Sequence, residues 1–213
     1  MRTYQMEKDV VFSYMLASFA LVIPFPGRFA YGILLVLLLN VQMLSLTFFR
    51  SLVELVHLDD LLSVLVAAML LCESIIFKQL LALYSPLMAL TLSFAIYLPA
   101  VSSFIISCLH PADAGLDRLG EVRENMRLSL SFSTVALVFF LIRDVFGYGT
   151  ITLPGRKGLV CLTLLSQRES VHVGVFLASI PGAVLLVFFS FFMMWQLRKK
   201  LDSVGGVSDD GLA

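Results

Sequence analysis

Residues Phe29 to Phe49 run without a single charged side chain and are closed by Arg50. An α-helix needs about 20 consecutive apolar residues to cross a hydrocarbon core of about 30 Å. Inside a bilayer every backbone polar group must find its partner within the protein, and a helix meets that demand from its own chain. The rest of the composition agrees, since 59% of the 213 residues are hydrophobic and 14% are charged. An ordinary soluble domain has roughly 45 to 50% and about 25%. One membrane domain is expected, with the lipid bilayer as its solvent.

Six spans can be marked out. A marginal first span runs from about Val10 to Phe25 and is broken at Pro24 and Pro26, and the second is Phe29 to Phe49. RSLVELVHLDD, residues 50 to 60, suits an interfacial connector. The third span, about Leu61 to Leu83, contains Glu73 and Lys78; the fourth, about Pro86 to Leu109, has Pro99 within it, where a kink or break is expected. A polar loop, residues 110 to 127, is too charged to insert. The fifth span follows from about Leu128 to Ile142, and an interfacial or re-entrant piece occupies Leu153 to Val171. The sixth, about Val173 to Leu197, contains Pro181 and Gly182. Residues 1–200 thus form the membrane domain, and residues 201–213 read as a disordered cytoplasmic tail.

The formal net charge is zero, with 15 basic and 15 acidic residues, so the electrostatic footprint of a nucleic-acid binder is missing. Cys72, Cys108 and Cys161 lie far apart with no CxxC spacing, which indicates neither a metal site nor a disulfide framework. His57, His110 and His172 stand singly and argue no metal site. No cleavage site convincingly follows the first apolar run, so that run is expected to serve as an uncleaved insertion signal. Arg2, Lys8, Arg50, Arg118, Arg123, Arg127, Arg198, Lys199 and Lys200 fall on the side of both termini. The other six basic residues fall opposite, so the positive-inside rule places both termini in the cytoplasm.

Cut at the polar loop, the chain divides into repeat one, about 10–83, and repeat two, about 86–197. Each opens with a helix carrying an internal proline, Pro24 or Pro99. An odd number of spans per half inserts the halves in opposite orientations. The fold class expected is all-α and integral to the membrane, with six transmembrane helices as two inverted three-helix repeats and interrupted helices 1 and 4. Six helices also divide into threes by arithmetic alone.

FFLIRDVFGYGTI at 139–151, followed by FLASIPGAVLLVFFSFFMMWQLRKK, resembles the end of six-helix subunits shared by the Rnf electron transport complex and the sodium-translocating NADH:quinone reductase, Nqr. The E subunit of Rnf and the D subunit of the reductase are the most similar. Arg143, Asp144, Gly147, Gly149 and Pro181 carry the match, with aspartate where the family has glutamate. TFFRSLVELVHL at 47–58 and IYLPAVSS at 96–103 extend it over nearly the whole chain. The resemblance implies a subunit of a redox-driven ion pump in a bacterial inner membrane, partnered by a sister six-helix subunit and further redox subunits.

In that family each such subunit supplies one cysteine from each broken helix to a shared iron–sulfur cluster, which is held by thiolates. Here LASFALVIP at 16–24 has no cysteine, and Phe19 stands nearest the first position. The second position falls near Ile105, and Cys108 lies about one turn further, roughly 5 Å along the axis. No cofactor is expected on this chain, and a cluster enters only if it is shared with the sister subunit.

Among polar candidates, Glu73 and Lys78 are intramembrane charges and by default mark an ion path, although Lys78 can also snorkel to the surface. Ser102 and Ser103 suit either of two roles, hydrogen-bonding carbonyls freed by the helix break or lining a polar cavity. Arg143 and Asp144 can anchor a neighbour or form a structural turn with Gly147 and Gly149, but adjacent helical residues do not face each other. No nucleophile–base pair, phosphate loop or nucleotide fingerprint is present, so a non-catalytic or accessory subunit is expected.

Overall fold

The computed structural model describes residues 22–109, 118–155, 158–164 and 176–205. Its helices are α1 (Phe29–Leu55), α2 (Leu62–Tyr84), α3 (Pro86–Leu92), α4 (Leu98–Leu109), α5 (Arg118–Tyr148) and α6 (Ile180–Gly205). Between α5 and α6 lies an antiparallel hairpin of β1 (Thr150–Gly155) and β2 (Gly158–Thr163). Short 3₁₀ turns at Asp59–Leu61 and Ala95–Tyr97 lead into α2 and α4.

Helices α1, α2 and α5 are each long and apolar enough to cross a membrane, and the bent pair formed by α3 with the first half of α4 would make a fourth span. Most of the first predicted span lies outside the described residues. Val22 is helical, and the chain then runs without regular structure past Pro24 and Pro26 to α1. The described apolar part of α6, Ile180–Ser190, is shorter than a span.

Proline and glycine punctuate the elements as their chemistry requires. Ser85 ends α2 in an extended conformation, as the residue before proline must, and Pro86 opens α3 where no N–H is needed. The predicted break in the fourth span is real but displaced. The chain bends by 73° between Leu92 and Ala95, whereas Pro99 sits in the first turn of α4, where its missing donor leaves no hydrogen bond unmade. Gly149, with φ of 65°, closes α5 by donating its N–H to the Val145 carbonyl at 2.9 Å.

Three sequence expectations are corrected. The polar loop ends earlier than expected, since α5 begins at Arg118 and so takes up much of the 110–127 segment. Its acidic and basic residues are good helix formers that carry the helix beyond its apolar run. The segment after α5 is in part a β-hairpin, so the chain is not all-α; alternation and β-branching in TITLPG and GLVCLT outweigh the reading as an interfacial piece. Helix α6 continues past Leu197 to Gly205.

Helices α1 and α5 pack along each other and form the centre of the core. Their register is antiparallel: Phe29 meets Asp144, Asn40 meets Ser133 and Ser129, and Thr47 meets Asn125. Leu35, Leu39 and Met43 of α1 and Phe132 and Phe140 of α5 are fully buried. Helix α2 lies outside this pair, with 22% of its spanning window buried against 44% for α1 and 47% for α5. Leu71, Ile75, Ile76, Leu80 and Leu83 are therefore turned to the surroundings, as a lipid-facing helix requires.

The tightest approach in the core is at Gly32, where a Cβ would lie 2.5 Å from the Phe140 ring and 2.8 Å from its Cβ. Phe140 is itself fully buried and cannot swing away. Gly32→Ala is expected to destabilise the protein by about 1 to 3 kcal/mol, read as a lower midpoint of thermal loss of helical circular dichroism in detergent, with Gly32→Val worse.

Candidate functional site

Arg143 and Asp144 are adjacent on the last turns of α5, and both are buried. Adjacent helical side chains diverge, and these two serve opposite kinds of backbone group. The Asp144 carboxylate accepts from the Phe29 N–H at 3.1 Å, the Thr152 N–H at 2.7 Å, the Thr152 hydroxyl at 2.6 Å and the Thr150 hydroxyl at 3.1 Å. The Thr152 hydroxyl in turn accepts from the Ala30 N–H at 3.2 Å. One carboxylate thus caps the first turn of α1 from another helix and fastens β1 beside it. Negative charge at a helix N-terminus also meets the positive end of the helix dipole.

The Arg143 guanidinium faces carbonyls. Its Nη1 donates to Phe25 at 3.0 Å and Val22 at 3.3 Å, and its Nη2 donates to Ala178 at 2.8 Å and Ser179 at 3.5 Å. These carbonyls belong to two stretches where helical bonding stops, the segment before α1 and the turn before α6. Gly27 makes room for the group, since a Cβ there would lie 3.1 Å from Nε and 2.9 Å from the Ala178 carbonyl. Gly147 packs its Cα against Ala178, and Gly182 sits against the Phe176 carbonyl. Pro181 occupies the first turn of α6.

The family-like motif is therefore more than a turn. Gly147 is helical, Gly149 is the cap, and Arg143 with Asp144 joins four parts of the chain. The Asp144 carboxylate and both terminal nitrogens of Arg143 are occupied by backbone and hydroxyl groups, so this centre holds the fold together, while the buried Arg143 Nε is left without a partner among the described residues.

A second polar layer lies between α1, α2 and α4. Gln42, fully buried, donates through Nε2 to the Ser74 hydroxyl at 3.0 Å and the Leu70 carbonyl at 3.4 Å, and its Oε1 accepts from the Ser103 hydroxyl at 3.4 Å. Ser102 is buried beside it in sequence. Towards α5, Asn40 donates to the Ser133 hydroxyl at 2.8 Å and accepts from the Ser129 hydroxyl at 2.9 Å. The hydrogen bond of Ser103 is to a side chain on another helix, which is neither of the two roles expected for it.

Glu73 is the middle residue of α2. It lines a groove of about 410 Å³ between α1 and α2, together with Leu34, Leu37, Leu38 and Val41 of α1 and Ile76, Phe77, Leu80, Leu81 and Tyr84 of α2. Its Oε2 is buried and has no hydrogen-bond partner. Lys78 turns elsewhere, its ammonium 5.5 Å from the Tyr97 ring centre. The two intramembrane charges predicted together are not brought together.

Phe19 lies outside the described residues. Ile105 and Cys108 lie on α4, with side chains that are not described. Among the described residues no cluster of three or more His, Cys, Asp or Glu side chains could hold a metal ion. Sequence reasoning missed Asn40, Gln42, Thr152 and Gly27. The first two were legible as isolated amides in an otherwise apolar span; the others acquire their roles only across more than a hundred residues of chain. Comparison with family models, curated proteins and solved structures finds no match to this chain.

Arg143→Met removes the donors to four carbonyls and is expected to cost about 3 kcal/mol or more. Arg143→Lys keeps the charge but cannot fork between two stretches, so its thermal midpoint should fall between those of the wild type and Arg143→Met. Asp144→Asn turns an amide towards N–H and hydroxyl donors, and should lower the midpoint comparably.

Proposed function

We propose that this chain is a membrane subunit of an Rnf/Nqr-type ion-translocating electron transport complex of a bacterial inner membrane, with both termini cytoplasmic. It acts as scaffold or ion-path partner and brings no iron–sulfur ligands of its own. The observation that carries the reading is the position of the motif behind the resemblance. Arg143, Asp144, Gly147 and Gly149 tie the segment before α1 and the start of α1, both from the first half, to the hairpin and the turn before α6, both from the second. The antiparallel packing of α1 and α5, the middle helices of the two halves, is the arrangement an inverted repeat would give. The interrupted fourth span supports the same reading. The sister six-helix subunit would cover exposed apolar surface other than the groove between α1 and α2.

A stand-alone small-solute or ion transporter is the second reading, favoured by Glu73 in its membrane-facing groove. Gentle extraction from native membranes separates the two. The complex predicts co-purifying redox subunits, with iron that stays with those partners and an iron content unchanged by Cys108→Ser. A chain that purifies alone, colourless, and drives solute uptake in proteoliposomes would move the assignment to a transporter.

A further inference from the structure

We propose that Glu73 is a proton-exchange site, taking up and releasing a proton at mid-membrane depth through the groove between α1 and α2. It rests on the reading above for the coupling it would serve, but the exchange is tested on this chain directly, so the two can fail separately.

Position comes first. From the middle of α2, the carboxyl is about 16 Å from either helix end at about 1.5 Å per residue, which is half of a bilayer core. A charged carboxylate at that depth is costly and is kept in membrane proteins chiefly where it works on ions or protons. Among the described residues the cost is not relieved by a cationic partner: Lys78 is engaged with Tyr97, and the α1 wall of the groove is Leu34, Leu37, Leu38 and Val41.

The hydrogen-bonding geometry fits a group that carries a proton. Ser45 is hydrogen-bonded to the Glu73 side chain. Its hydroxyl also lies 2.8 Å from the Val41 carbonyl and 3.3 Å from the Gln42 carbonyl. A hydroxyl can donate to a carboxylate or accept from a carboxyl, so Ser45 can serve both protonation states of Glu73. The other oxygen, Oε2, is buried and has no partner among the described residues, so a negative charge there meets no donor.

The ligand class follows from the donor set. Hard metal cations take about six or more oxygen ligands. Among the described residues the groove wall holds two oxygen-bearing side chains, Glu73 and Tyr84, and these are separated by about three helical turns, roughly 16 Å. A proton needs one oxygen. The exchange is carboxyl plus water giving carboxylate plus hydronium: the carboxyl O–H bond breaks, an O–H bond forms on water, and nothing is oxidised or reduced. The groove extends from Glu73 to Tyr84 at the end of α2 and has a volume of about 410 Å³.

Among the described residues the other titratable groups near this path are few. Tyr84 lies at the far end of the groove, Cys72 precedes Glu73 and is exposed, Tyr31 of α1 donates its hydroxyl to Thr91, and Arg50 lies beyond the groove on α1.

The test uses dicyclohexylcarbodiimide, an apolar reagent that adds to protonated carboxyls, on the full chain in native membranes, with the adduct located by peptide mass spectrometry. Modification should fall on Glu73, decline several-fold as pH is raised, and vanish from this position in Glu73→Gln. Labelling that ignores pH would overturn the proposal. So would a Glu73 that reacts only after detergent extraction, since a partner chain would then cover the groove. Protection by sodium at constant pH would overturn the proton assignment in favour of a metal cation. Because the wild-type chain supplies the primary readout, misfolding of the variant does not decide the matter. A chain that labels as expected yet purifies without redox subunits would retain this site and refute the complex.

Discussion

A helix that stops in apolar surroundings leaves N–H groups at one end and carbonyls at the other without partners, and lipid offers none. In this protein two neighbouring side chains take both kinds. Asp144 collects the amides that open α1, directly and through Thr152, while Arg143 collects the carbonyls of the segment before α1 and of the turn before α6. Their adjacency on α5 is what lets one short stretch of chain fix four others. The hairpin, itself too small to be stable alone, is held because β1 supplies three of the donors that Asp144 needs.

From that joint the α1–α5 pair runs as the axis of the bundle. Hydrophobic attraction between helices is weak in a lipid solvent, so close packing and interhelical hydrogen bonds must set the register. Gly32 admits Phe140, Asn40 engages Ser129 and Ser133, and Asn125 reaches Thr47. Gln42 extends the same principle to α2 and α4 through Ser74 and Ser103. These groups are spent on one another. Glu73 differs from them in keeping an oxygen unpartnered beside an open groove, and that difference separates a candidate working group from structural ones.

Much of this was legible beforehand. The spans α1 and α2 follow from the lengths of uncharged runs, and the break in the fourth span was expected from its proline. The bend nonetheless falls at Ser93 and Phe94 rather than at Pro99. A proline is harmless in the first turn of a helix, so its presence marks an interruption without locating it. The hairpin was missed because a short apolar strand and an interfacial segment share the same composition. Arg143 and Asp144 were recognised as a unit, yet which groups they face depends on partners up to 121 residues away.

The sequence by itself determined that the chain belongs in a bilayer and where its longest helices lie, because hydrophobic length and the need to satisfy backbone groups locally leave no other solution. It also singled out Glu73, since a charge within an apolar run is visible without coordinates. Only the tertiary structure decided what each polar group does. Arg143 is a clasp for carbonyls, Asp144 is a cap for another helix, Lys78 rests on an aromatic ring, and Glu73 faces a groove. Such roles are set by distances between residues remote in sequence, which no local pattern encodes.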